Sequence, residues 1–123
     1  MAFLTDRKRA TGLGSAKQGT EHFWNMTVSS VGLAILVPLF VFTFGPMLGA
    51  PHDEVVAYFA RPFPAIVAAL TIWVGFMHFK NGVQVLIEDY VSGLARKVLI
   101  VAMICLSYAA AATGLFAIAR LAL

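Results

Sequence analysis

Cysteine is nearly missing from this chain. Cys105 stands alone, so no disulfide closes within it, and there is no cysteine cluster of the kind that holds iron–sulfur centres. No dinucleotide-binding fold is visible either. Charge is equally scarce: Asp, Glu, Lys and Arg make up 12% of the 123 residues, whereas 60% are hydrophobic. With a mean hydropathy of +0.85, the chain lies far above what a soluble domain of this length needs for its core. It reads as a membrane protein. There is no internal repeat and no second domain.

What is there are three apolar windows, about 23–48, 64–87 and 98–119. Each is long enough to cross a hydrocarbon layer of roughly 30 Å, which takes about 20 helical residues. The fold class expected is all-α, with three transmembrane helices in a domain spanning 23–123, preceded by a leader over 1–22. The first window is too long for the h-region of a signal peptide and has no small-residue cleavage site behind it, so it reads as a retained helix. Pro38 in its middle removes one backbone hydrogen bond and predicts a kink. The segment 49–64, bounded by prolines, predicts a short interfacial helix with Val55, Val56, Tyr58 and Phe59 dipping into headgroups, and His52 reads as a solvated loop histidine.

Orientation follows from lysine and arginine. Arg7, Lys8, Arg9 and Lys17 precede the first helix and Arg96 and Lys97 follow the second, whereas the first connection has Arg61 beside Asp53 and Glu54. The positive-inside rule places the N-terminus and the second connection in the cytoplasm and the C-terminus outside, with Arg120 as a lone exception. The net charge of +3 is explained by topology and by attraction to anionic membrane lipid, not by nucleic acid. The leader, with Gly12, Gly14, Ser15 and Gly19 among charges, reads as mobile or ordered by a partner.

The polarity that the chain does carry is concentrated in "MHFKNGVQVLIEDY", residues 77–90. On a helix, Thr71, Gly75, His78, Gly82, Val85 and Asp89 fall within about a 90° sector. Two glycines therefore bracket the histidine on its own face. Such a gap serves either close approach of another helix or room for a flat macrocycle whose metal the imidazole ligates. Lys80, Asn81, Gln84 and Glu88 form a second stripe roughly opposite, too polar to face lipid uncovered.

His78 lies about 15 Å from the inner end of its helix at a rise of about 1.5 Å per residue. His22 at the mouth of helix one and His52 on the far side cannot be the opposite axial ligand. Met103 and Cys105 reach a more similar depth and stay open, each equally explained by packing. Unless one of these two serves, a six-coordinate iron would take its second ligand from another chain. The competing role for a lone intramembrane histidine is an interhelical hydrogen bond.

The spacing His78, Gly82, Asp89, Tyr90, with "QVLIEDYV" around the pair, resembles the smaller hydrophobic membrane anchor of succinate dehydrogenase. The histidine-rich signature of the cytochrome b556 anchor is absent. The resemblance implies that His78 is an axial ligand of haem b iron, the other ligand coming from the cytochrome b556 anchor subunit. It implies that Tyr90 hydrogen-bonds a ubiquinone carbonyl and that Asp89 helps shape that site. FAD and the iron–sulfur clusters would sit in the flavoprotein and iron–sulfur partner subunits.

The implied function is that of a non-flavin subunit, not catalytic alone, in the bacterial cytoplasmic (inner) membrane. It would help pass electrons from succinate to ubiquinone, linking the tricarboxylic acid cycle to respiratory electron transport. Some members of the family place a basic residue near the haem propionates early in helix one. Here His22 could fill that place or be an interfacial residue beside Phe23 and Trp24, and Thr27 and Ser30 are expected to bond helix carbonyls. The alternative is a structural or assembly subunit of another membrane complex, without a cofactor. A transporter is disfavoured because only His78 is ionisable at mid-membrane.

Overall fold

A computed structural model describes residues 5–12 and 20–123, and all of its regular structure is helical. A short helix α1, Asp6–Thr11, is capped by Thr5, whose hydroxyl accepts from the Lys8 amide. Residues 5–12 of the leader expected to be mobile or partner-ordered are thus a short helix and its flanks, while 1–4 and 13–19, Lys17 among them, lie outside the described residues. The three long helices follow: α2, Glu21–Phe44, continued by one 3-10 turn at Gly45–Met47; α4, Pro62–Tyr90; and α5, Gly93–Ala122. Between the first two lies α3, His52–Phe59. All three long helices are long and apolar enough to cross a membrane.

Every long helix differs in extent from its hydropathy window, and the cause is the same each time. Hydropathy marks where apolar residues stop, whereas a helix stops where its backbone bonds stop. At about 1.5 Å per residue, α4 and α5 are each about 45 Å long, well beyond a hydrocarbon core of roughly 30 Å. Arg96 and Lys97, expected in a connection, therefore lie in the opening turns of α5, and the connection shrinks to Val91 and Ser92. Gly93 makes this tight turn with φ +69°, a left-handed conformation that side chains with a Cβ adopt at a cost of about 1–2 kcal/mol.

Helix α4 is the centre of the molecule, packed on one side by α2 and on the other by α5, which scarcely touch each other. Antiparallel pairing with α2 is fixed by Val74 against Gly32 and by Met26 against Gly82. Pairing with α5 is tighter: a Cβ on Gly114 would lie 2.9 Å from Ile72 Cγ2, inside contact distance, so glycine alone lets the two backbones approach this closely. Pro38 does not interrupt α2, which runs on to Phe44.

One expectation needs correcting at the far end. Phe59 does not dip into headgroups. It is 1% exposed, packed 6.2 Å from the Phe44 ring and 5.4 Å from that of Tyr58, because α3 folds back against α4 and α5. His52 likewise opens α3 instead of sitting in a loop, though its side chain stays exposed.

Placing a branched side chain at Gly114 must push α5 off α4. Gly114→Val is expected to lower stability by about 1–3 kcal/mol, read as a lower thermal midpoint in mild detergent. The same change at Gly45, where no atom lies within 4 Å of the added Cβ, is the matched comparison and should cost less.

Candidate functional site

The site grows from the two faces of α4. Hydroxyls inside apolar helices usually turn back on their own backbone, and Thr27, Ser30, Thr43, Thr71, Ser107 and Thr113 all donate to the carbonyl four residues earlier. Ser29 does this and one thing more. Its Oγ lies 2.7 Å from the Asn25 carbonyl and 3.0 Å from that of Met26, and also 2.9 Å from Nδ1 of His78 on α4. A hydroxyl has one hydrogen, and the two carbonyls can only accept it. Where the Ser29 hydrogen goes to one of these carbonyls, its oxygen accepts from His78 Nδ1–H. In the neutral ring this leaves Nε2 with its lone pair, and Nε2 has no hydrogen-bond partner among the described residues.

Of the two glycines that bracket His78, one gap is filled and one is open. Met26 Cε reaches to 3.8 Å of where a Gly82 Cβ would stand, whereas nothing lies within 4 Å of that point at Gly75. An apolar hollow of about 360 Å³ opens there, lined by Phe40, Thr71, Ile72, Gly75, Phe76 and Phe79. A second hollow of about 270 Å³ follows the same helix pair past Ser29, Gly32 and Met77. His78 itself is half-buried.

His22 sits on the Ser29 face of α2, two turns nearer the helix start, about 10 Å along the axis. Its Nε2 is buried without a hydrogen-bond partner among the described residues, so a polar atom there awaits a counterpart. Asp89 and Tyr90 end α4, both exposed, Tyr90 at 84%. They lie eleven and twelve residues from His78, about 17 Å by helical rise, so this chain alone does not gather the four residues into one pocket.

Part of the second stripe of α4 finds partners within the chain. Lys80 Nζ sits 5.6 Å from the centre of the Tyr108 ring on α5, a cation–π contact that gains strength where water is scarce. Gln84 donates to Glu88 Oε1 at 2.9 Å. On α5, Met103 is buried with its sulfur 3.6 Å from Ser107 Oγ, and Cys105 is exposed. Met103, Ser107 and Ala111 form the buried stripe of α5, directed at α4 on the side away from α2. Met103 is thus part of that packing. No group of three or more potential metal-binding side chains occurs among the described residues.

Comparison with known proteins supplies the family. The model of the succinate dehydrogenase/fumarate reductase transmembrane subunit matches residues 2–115. The succinate dehydrogenase hydrophobic membrane anchor subunit of Paracoccus denitrificans is 43% identical over 123 residues, covering 100% of this chain and 95% of the relative. The chain belongs to the succinate dehydrogenase/fumarate reductase transmembrane subunit family. It is a membrane anchor subunit of that oxidoreductase and a multi-pass membrane protein. No solved structure matches it.

Within this anchor, Ser29 is the residue that sequence reasoning passed over. Thr27 and Ser30 drew attention and do bond their own helix; Ser29 lies between them and reaches across. Only the helical phase of α2 relative to α4 distinguishes the three. Removing its oxygen strands a half-buried imidazole N–H and unlinks two helices. Ser29→Ala is expected to cost about 0.5–2 kcal/mol, measured as a fall in detergent stability, with Ser30→Ala, which breaks only a bond within α2, closer to the parent.

Proposed function

We propose that this anchor subunit binds one haem b through His78 and forms one wall of a ubiquinone-reduction site with Tyr90 and Asp89. Electrons would arrive from an iron–sulfur subunit docked at the Tyr90 end, with succinate oxidised at FAD in a flavoprotein subunit and the second axial ligand coming from a cytochrome b556 anchor. In this reading the N-terminus and the Tyr90 end face the cytoplasm of a bacterial cell, as the lysines and arginines before α2 and at the α4–α5 turn favour.

The observation that carries the proposal is the state of His78. An imidazole that ligates iron needs a free nitrogen with a lone pair and a partner on the other nitrogen to fix the ring. Ser29 provides that partner at 2.9 Å, and Nε2 is left over. One turn before His78, Gly75 is bare, and the hollow beside it, which His78 does not line, has the apolar walls that suit a macrocycle, Phe40, Phe76 and Phe79. His22, with its unmet buried nitrogen on the same face of α2, supplies a hydrogen bond for a propionate.

Haem b would supply a one-electron store close to the path between cluster and quinone. This chain's residues do the rest. Ser29 holds the tautomer and orientation of the ligand. The Tyr90 phenol donates to a quinone carbonyl oxygen as that oxygen gains negative charge, adding no net charge of its own. Asp89, one residue earlier, projects about 100° away around the helix and shapes the pocket's other side. Reduction of the quinone takes up two electrons and two protons, and the exposed position of both residues leaves them within reach of solvent protons.

The test is a dithionite-reduced minus oxidised spectrum of the complex that copurifies with this chain. A b-type α band is expected, and His78→Ala should abolish or shift it while the subunits stay together. An intact complex whose band is unchanged by that substitution would remove His78 as a ligand, and one with neither haem nor flavin would favour a purely structural subunit. Separately, Tyr90→Phe should lower succinate–quinone reductase turnover by about tenfold or more, the equivalent of one lost hydrogen bond of about 1.4 kcal/mol at the transition state. Succinate oxidation by a soluble acceptor should be retained; equal loss in both assays would indicate faulty assembly instead.

A further inference from the structure

Tyr90 is exposed and makes no hydrogen bond among the described residues, so nothing holds its ring except the backbone that carries it. That backbone is at a hazardous place. It is the last residue of α4, where helix carbonyls run out of amide partners. The chain turns to an extended conformation at once, with Val91 at φ −120° and ψ 137°. Two carboxylates, Glu88 and Asp89, add negative charge at the negative end of the helix dipole.

A single side chain from the next helix meets all of these conditions. Arg96, in the first turns of α5, donates from Nε to the Val91 carbonyl at 2.9 Å and from Nη2 to the Glu88 carbonyl. The two carbonyls lie on either side of Tyr90 in the chain. A guanidinium is planar, and its N–H groups form a rigid fork, so gripping both carbonyls at once sets the peptide geometry between them. Its charge also offsets the dipole and the neighbouring carboxylates. Lys97, next in sequence, makes no such contact among the described residues.

We propose that Arg96 is a positioning residue for quinone reduction, acting through the backbone of Tyr90 and not by touching the quinone. The inference rests on the reading of Tyr90 given above. It predicts that losing the fork leaves the phenol present but poorly aimed, with the haem site unaffected, since His78 lies more than three helical turns away along α4.

The experiment uses the assembled complex in mild detergent and compares Arg96→Gln, Arg96→Lys, Lys97→Gln, Tyr90→Phe and the double variant of Arg96→Gln with Tyr90→Phe. Arg96→Gln is expected to raise the quinone KM about fivefold and to lower kcat, with soluble-acceptor turnover and the reduced-minus-oxidised spectrum unchanged. Arg96→Lys, able to meet one carbonyl with its ammonium, should recover part of the loss, and Lys97→Gln, which removes the same charge, should resemble the parent. In the Tyr90→Phe background, Arg96→Gln should add less than about a twofold further effect, because both changes act on one group.

Effects that multiply in the double variant would overturn the inference, as would Arg96→Gln behaving like Lys97→Gln. Loss of soluble-acceptor turnover or of subunits would make Arg96 a docking residue instead. Impaired Tyr90→Phe beside normal Arg96→Gln sinks the inference alone; normal quinone kinetics in Tyr90→Phe sink the reading of Tyr90 and the inference with it.

Discussion

Inside a hydrocarbon layer no water competes for a hydroxyl, an imidazole or an ammonium, so each polar group must find its partner in protein or be placed where a ligand will meet it. This constraint organises the molecule. Six serines and threonines close on their own helix carbonyls, Lys80 lies against the face of Tyr108, and Ser29 joins α2 to α4 through His78. What remains unmet among the described residues is correspondingly informative: the second nitrogen of His78, the buried Nε2 of His22 and the phenol of Tyr90.

Placing α4 between its two neighbours allows one helix to serve two purposes. Its His78 face meets α2 loosely, with Met26 filling the gap at Gly82 but nothing filling the one at Gly75. Its opposite face meets α5 tightly, with Ile72 against Gly114. The seam with α5 leaves no room at Gly114, whereas the seam with α2 carries the hollows beside Gly75 and Gly32. A symmetric bundle with both seams closed would have no such space. The outward faces of α2 and α5 remain strongly apolar, including Val31, Ile35, Phe42, Val101 and Leu106, as suits an anchor subunit set among lipid and other subunits.

The proposed division of labour along α4 follows from its length. A helix of about 45 Å carries the histidine within the hydrocarbon and still delivers Asp89 and Tyr90 at the surface. The continuous backbone ties the proposed haem ligand rigidly to the proposed quinone contact, and Arg96 secures the end at which the helical bonds give out.

By itself the sequence determined that the chain spans a membrane three times, since three long apolar windows admit no other satisfied backbone, and that its polarity lies on two opposed stripes of the second helix, since that follows from helical phase alone. The spacing from His78 to Tyr90 was enough to point to the family. Helix ends were not legible: α5 begins at Gly93 because backbone bonding outlasts apolarity, and Phe59 turns inward because α3 packs on α4 and α5, a long-range contact with no local signature. Nor could residue type tell Ser29 from Thr27 and Ser30, or Arg96 from Lys97. Each of those choices depends on the rotation and depth of one helix against another, which only tertiary packing decides.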